Sequence, residues 1–265
     1  MNVRVSSLAL LAALVGSSSA FAELPSGRDV MLRVDARDDG DLSAQDLEMV
    51  LIDRKGGERV RLLRAYSRDD GEDVHSIMFF LSPADVEDTG FLTYDYDADR
   101  DDDQWLYLPA LRKTKRIATG DKSGSFMGSD FSYADLTTRE VDAYDWKLMK
   151  QIELGGHSVW QIEGIPKTKE EIDETGYTKM LVFVRKDIDV LVRAVYWMKK
   201  GSRLKYFDVK KLEQIDGIWV PTEMHMMTRK GKTTLHRTRM RSTNVSFGQT
   251  FPEGFFDVRQ LEKGP

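Results

Sequence analysis

The residues best equipped for chemistry are acids, and they come in two runs. Residues 35–46 read Asp-Ala-Arg-Asp-Asp-Gly-Asp-Leu-Ser-Ala-Gln-Asp. Glycine at the sixth position and a carboxylate at the twelfth match a calcium loop. Arg37, however, puts a cation at the third position, where a ligand oxygen is required. Residues 95–103 hold six aspartates in nine positions, without the sixth-position glycine and with Leu106 at the twelfth. This run reads as a solvated hairpin tip, with a weak cation site as the alternative. The four histidines are scattered. If Lys230-Gly231 makes a two-residue hairpin, His225 falls opposite His236, ~5 Å apart at Cβ. Such a pair fits either a surface contact or half of a transition-metal site that lacks a third ligand. Nucleophile motifs are missing. Gly124-Ser125-Phe126-Met127-Gly128 places serine directly after the first glycine, which is not the G-x-S-x-G elbow, and there is no cysteine. These residues point away from an enzyme, and they suggest neither a cofactor nor a metal.

Greasy and basic residues concentrate in residues 104–136, QWLYLPALRKTKRIATGDKSGSFMGSDFSYADL. An aromatic strand with Trp105 and Tyr107 ends at Pro109. The basic cluster Arg112, Lys113, Lys115 and Arg116 follows, and then a Gly/Ser loop carrying Phe126, Met127 and Phe131. Exposed apolar side chains on such a loop are costly unless they cover something. Trp105, Tyr107, Phe126, Met127 and Phe131 are therefore expected to line an apolar cavity or close over it as a flap; tucking into a filled core is the alternative. The four basic residues would face an anionic head group, a membrane surface or a partner, or would simply discourage edge pairing. Arg237, Arg239 and Arg241 alternate along one face of a late strand in the same way.

The ends and the composition narrow the class. Arg4, the apolar run Leu8 to Val15, and Ala20-Phe21-Ala22 make an n-region, an h-region and an A-x-A cleavage site. Residues 1–22 are thus a cleaved signal peptide, and the apolar run is too short to cross a ~30 Å bilayer. Its removal takes out one cation, Arg4, and moves the net charge from −5 to −6. An acidic exported chain is a poor nucleic-acid binder. Export without cysteine suits a soluble periplasmic protein of a Gram-negative bacterium better than a eukaryotic secreted domain.

Turn signals at Gly56-Gly57, Asp70-Gly71, Gly155-Gly156, Lys200-Gly201, Asp216-Gly217 and Lys230-Gly231 punctuate segments rich in β-formers. They predict a mainly β fold, an antiparallel meander of about 11–12 strands, with residues 23–265 as a single domain. Helices are expected over 26–36, capped by Ser26, as one turn opened by Ser82-Pro83, and over 131–139 and 168–175. The runs Met-Leu-Val-Phe-Val at 180–184 and Ala-Val-Tyr-Trp-Met at 194–198 are apolar on both faces. That fits a curved sheet, a half-open barrel with helices on its open side, or a filled two-sheet sandwich.

The segment WLYLPALRKTKRI…FMGSDFSYADL, together with the close Phe251-Pro252-Glu253-Gly254-Phe255-Phe256, resembles the outer-membrane lipoprotein-sorting proteins, exported bacterial proteins of the LolA/LolB carrier superfamily. The resemblance implies a half-open antiparallel barrel with helices over its open side and an apolar cavity for lipid or lipoprotein acyl chains. It implies binding and release without covalent chemistry. It also implies transient contact with the membrane surface and association with an RND-type inner-membrane exporter, either as a cargo carrier or as an adaptor with no cargo of its own.

Overall fold

The computed structural model describes residues 24–97 and 100–264; the expected signal peptide lies outside the described residues. After helix α1 (Gly27–Asp35) the chain forms β1 (Leu42–Ile52), β2 (Glu58–Asp70), β3 (Asp73–Ser82), β4 (Gly90–Asp95), β5 (Asp103–Leu108) and β6 (Lys113–Arg116). It then crosses to β7 (Tyr144–Leu154) and β8 (His157–Pro166), passes through helix α2 (Lys169–Thr175), and continues as β9 (Tyr177–Arg185), β10 (Leu191–Met198), β11 (Arg203–Ile215), β12 (Ile218–Lys230) and β13 (Thr233–Phe247). Helix α3 (Val258–Lys263) closes the described chain.

All thirteen strands share one antiparallel sheet, in the order β6-β5-β4-β3-β2-β1-β13-β12-β11-β10-β9-β8-β7. The sheet is open, with β6 and β7 as its two edges. It is built by two meanders that meet where β1 pairs with β13, Met49 opposite Met240. The strand missing from the sequence reading is β6. It consists of Lys113 to Arg116, the basic cluster itself, and its charge concealed its extended backbone.

The six glycine turns all join neighbouring strands. One register differs from expectation. The two-residue loop is Gly231-Lys232 and not Lys230-Gly231, so that Lys230 pairs with Thr233, and a bulge between Thr228 and Arg229 shifts the ladder by one more residue. His225 therefore sits opposite Arg239, His236 sits opposite Thr228, and the two histidines do not pair. The loop lies one residue beyond the place expected, which alone parts the histidines; the bulge, which inserts one further residue, cannot be read from turn chemistry.

Since strand side chains alternate between faces, each strand feeds two packing regions. On the concave face Met49, Leu63, Phe80, Phe91, Ile162, Met180, Val182 and Ala194 form the large core. On the convex face of β2–β5 a smaller core gathers Ile77, Phe79 and Leu92 beneath Phe256 and Leu261 of the C-terminal segment. Tyr94 donates from its hydroxyl to the Phe256 carbonyl at 2.8 Å. Gly90 permits this approach: a Cβ there would lie 2.9 Å from Leu261.

Helix α1 follows from local chemistry. Ser26 and Asp29 form a reciprocal capping box, which satisfies two of the amide donors that a helix start leaves unpaired. Its apolar residues Val30, Met31 and Val34 fall on one side, as the helical repeat requires, and they pack into the concave core. Gly27 rests directly on β7. A Cβ at that position would meet the backbone of Trp146, Lys147 and Leu148 at 2.9 Å. Ser82-Pro83 is a cis peptide, and Pro83 opens the single turn expected, its carbonyl accepting from the Val86 amide at 3.0 Å and the Glu87 amide at 2.9 Å.

Candidate functional site

The two edges of the open sheet are joined by residues 117–143, a strap that runs across the concave face. Its short 3-10 turns, Phe126–Gly128 and Tyr133–Leu136 among them, do not pair with the sheet as strands. Buried charged side chains hold them at three places, alongside neutral ties such as the Gln104 side-chain amide donating to the Tyr133 carbonyl at 3.0 Å. Lys122, 1% exposed, pairs with Glu174 of α2 at 2.5 Å and lies 3.8 Å from Asp102. Asp130, also buried, accepts from Thr228 at 2.6 Å and Thr238 at 2.9 Å, and its Oδ2 lies 2.7 Å from His236 Nδ1. Asp135, 4% exposed, pairs with Arg139 at 2.7 Å and Lys205 at 3.2 Å and accepts from the Tyr177 hydroxyl at 2.8 Å. Burial alone would raise the Asp135 carboxyl, but Lys205, Arg139 and the Ser132 amide outweigh it and bring its pKa to about 2. Arg61 adds a fourth tie, donating to the Met127 carbonyl at 2.5 Å.

Beside the strap, α1 leaves a cleft of about 200 Å³ against the sheet. Met31 and Val34 of α1 form one wall; Val141 of the strap and Trp146, Met180, Val182 and Leu191 of the sheet form the others. Asp35, Asp39, Thr138 and Arg139 supply its polar rim. Trp146 is oriented by donating from its indole N–H to the Val141 carbonyl at 2.8 Å. The side chains that hold α1 down are exposed: Arg28 pairs with Asp142 at 2.7 Å and Arg33 with Asp189 at 3.2 Å.

The cleft shares Asp35, Asp39 and Thr138 with a wider hollow of about 540 Å³. Here the two acidic runs of the sequence meet. Asp35, Asp38, Asp39 and Asp41 come from the α1–β1 connection, Asp69 from the end of β2, and Asp95 and Asp97 from the end of β4. Desolvation, reinforced by Asp39, Asp41 and Asp38, raises the Asp69 carboxyl to about 6. Desolvation and the neighbouring Asp102 raise Asp95 to about 7, against the Thr138 amide it accepts from at 2.7 Å. Asp35 and Asp39 are raised as well, first by desolvation. Among the described residues no three His, Asp or Glu side chains are arranged to hold a metal ion.

The residues singled out in the sequence do not share one surface. Phe126 and Phe131 are buried in the concave core, Phe126 with its ring 5.0 Å from Phe91. Met127 sits half-buried beside them in a left-handed conformation, φ 48°. Trp105 and Tyr107 lie on the other side of the sheet, packed against the convex core. Alternation along β5 separates the two sets, because Leu106, between them, faces the concave side. Arg112, Lys113, Lys115 and Arg116 are exposed at the β6 edge, with Arg116 paired to Asp103 and Lys115 3.8 Å from Asp121. The cleft residues were missed, although Met180 and Val182 belong to a two-faced run and Val30, Met31 and Val34 carry a helical spacing.

An open antiparallel sheet with a helix and a strap over its concave face defines the class: this is the LolA-like fold. A LolA superfamily protein from Nitrosomonas europaea has the same fold, with a TM-score of 0.67 at 14% identity over 89% of this chain and 100% of that one. The chain belongs to the outer membrane lipoprotein-sorting protein family. It is 31% identical to a domain of that description from Vibrio parahaemolyticus, over 89% of this chain and 98% of that one, with a TM-score of 0.80. It is 32% identical to a DUF1329 family protein from Desulfovibrio piger, over 89% and 97%, again with a TM-score of 0.80. A family model described as an uncharacterized protein matches residues 72–263. No curated protein matches the chain. Among the described residues no helix is long and apolar enough to cross a membrane.

Proposed function

We propose that this protein is a non-catalytic periplasmic carrier for a lipid or the acyl chain of a lipidated cargo, exported by its first 22 residues and working as one domain. The observation that carries this reading is the apolar cleft between α1 and the concave sheet, in a family named for lipoprotein sorting. The cleft as it stands falls below the 300–1,000 Å³ of common ligand pockets. An alkyl segment burying ~150 Å² there gains only ~4 kcal/mol, which corresponds to millimolar binding. Useful affinity requires α1 to move outward, pivoting where Gly27 meets β7. Phe126 and Phe131 then serve as the floor of the widened cavity, with Met127 at its margin, and the exposed β6 lysines and arginines face a membrane or an acceptor. An RND-type exporter as partner finds no support in the comparisons.

The test is lipid mass spectrometry of the mature protein purified from its native periplasm, together with uptake of a fluorescent fatty acid. Leu191→Trp, which fills the cleft from its wall, is expected to reduce uptake at least tenfold while leaving the fold intact by circular dichroism. No co-purifying amphiphile and no uptake by the wild type would sink the carrier reading.

A further inference from the structure

The cleft and the acidic hollow are one continuous feature with two chemistries, since Asp35, Asp39 and Thr138 wall both. The cleft is apolar and narrow; the hollow is wide and lined by nine carboxylate residues against one guanidinium, Arg37. Arg37 is engaged elsewhere, donating to the carbonyls of Asp38 and Trp219. Negative charge is held here at a cost to the folded state: burial first, and then the neighbouring Asp39, Asp41 and Asp38, raise the Asp69 carboxyl. An incoming cation would relieve that cost, and low-dielectric walls focus its attraction.

We propose, building on the carrier reading, that the amphiphile held in the cleft has a cationic, amine-bearing head group that sits in the acidic hollow against Asp35 and Asp39. A tail entering between Met31 and Leu191 leaves its head at this shared rim. An organic ammonium suits the site better than a metal ion. The carboxylates are spread around a hollow of about 540 Å³, and no three acidic or histidine groups converge on a point among the described residues. The one competing group on the cleft wall is Arg139, which would favour an anionic head. Its guanidinium already pairs with Asp135 at 2.7 Å and lies over the Tyr196 ring at 5.1 Å.

The experiment is isothermal titration calorimetry of the mature protein with dodecylammonium and with dodecanoate, both below their micelle concentrations, at pH 8 and low salt. Dodecylammonium is expected to bind at least tenfold tighter, and butylammonium at least a hundredfold weaker than its long-chain counterpart. The double variant Asp35→Asn/Asp39→Asn is expected to lose most of the ammonium preference, with dodecylammonium binding weakened and dodecanoate binding equal or tighter, since its head is no longer repelled at the rim. Because the two carboxyls are raised by burial in the folded protein, their replacement should leave the melting temperature at pH 8 at or above that of the wild type. Lysophosphatidylethanolamine and an N-dodecanoyl lysine peptide, titrated in parallel, separate an aminolipid from a lipidated basic peptide as the source of the head group; tight binding of either supports the inference. Dodecanoate binding as tightly as dodecylammonium, or a double variant with an unchanged preference, overturns it and leaves the carrier reading standing. Binding of neither chain overturns both.

Discussion

The strap and helix α1 both cover the concave face of the sheet, but they are fastened by different physics. The strap is tied by Lys122, Asp130 and Asp135, three buried charges each met by partners on distant strands or on α2. Breaking such a tie leaves an uncompensated charge in a low-dielectric interior. Helix α1 is held by a strip of apolar contact and two exposed ion pairs, which contribute little in water. A cover held this way can lift at modest cost, and the cleft lies beneath α1. The lesson is that the segment most conspicuous in the sequence is the firmly tied cover, while the lightly held cover is a short capped helix.

The sharpest way to break this contrast is at Asp135. Asp135→Ala leaves Lys205 and Arg139 facing each other without their shared carboxylate. A loss of ~3–5 kcal/mol is expected in urea unfolding; a loss below ~1 kcal/mol would show that the strap is not pinned. On the helix side, Gly27→Ala drives a Cβ into the β7 backbone. Overpacking of this kind costs ~1–3 kcal/mol. It should appear as faster hydrogen exchange confined to α1, with the strap still protected. Arg33→Ala removes one exposed pair and should change stability by no more than ~1 kcal/mol, while raising the rate of amphiphile uptake if α1 is the gate.

A pH titration separates the two regions in another way. Asp135 is depressed to about 2, so the stability it contributes is present above its unfolded value near 4 and is lost as pH falls from there toward 2. Asp95 is raised to about 7 and Asp69 to about 6. Their contribution runs the other way: it is present below pH 4 and is lost as pH rises through 6 and 7. The melting temperature should therefore peak in the mildly acidic range. Asp95→Asn should melt above the wild type at pH 8 and level with it at pH 4.5, a difference that thermal scans at the two pH values will reveal.

Much of the fold was legible because its signals are local. The glycine turns located hairpins, and the two-faced runs at 180–184 and 194–198 located strands that became β9 and β10. Ser26 marked the start of α1. The basic run was correctly seen as a cluster but not as strand β6, because charge masks β periodicity at an edge. The candidate site was hardly legible. Trp105 and Tyr107 were grouped with Phe126 and Phe131 by proximity in sequence, yet one residue of strand alternation sends them to opposite faces. His225 and His236 were paired by a hairpin turn at Lys230-Gly231, and a turn at Gly231-Lys232 followed by a bulge parted them.

The sequence by itself determined a cysteine-free, acidic, largely β chain with a resemblance to lipoprotein-sorting proteins. Tertiary structure alone decided that Asp35, Asp69 and Asp95 face one hollow, that Asp135 meets Lys205, and that Met31 meets Val182 across a cleft. The reason is physical. Hydrophobic period and turn chemistry act over a few residues, whereas these meetings depend on how thirteen strands are ordered and on where a connection between the two open edges must cross.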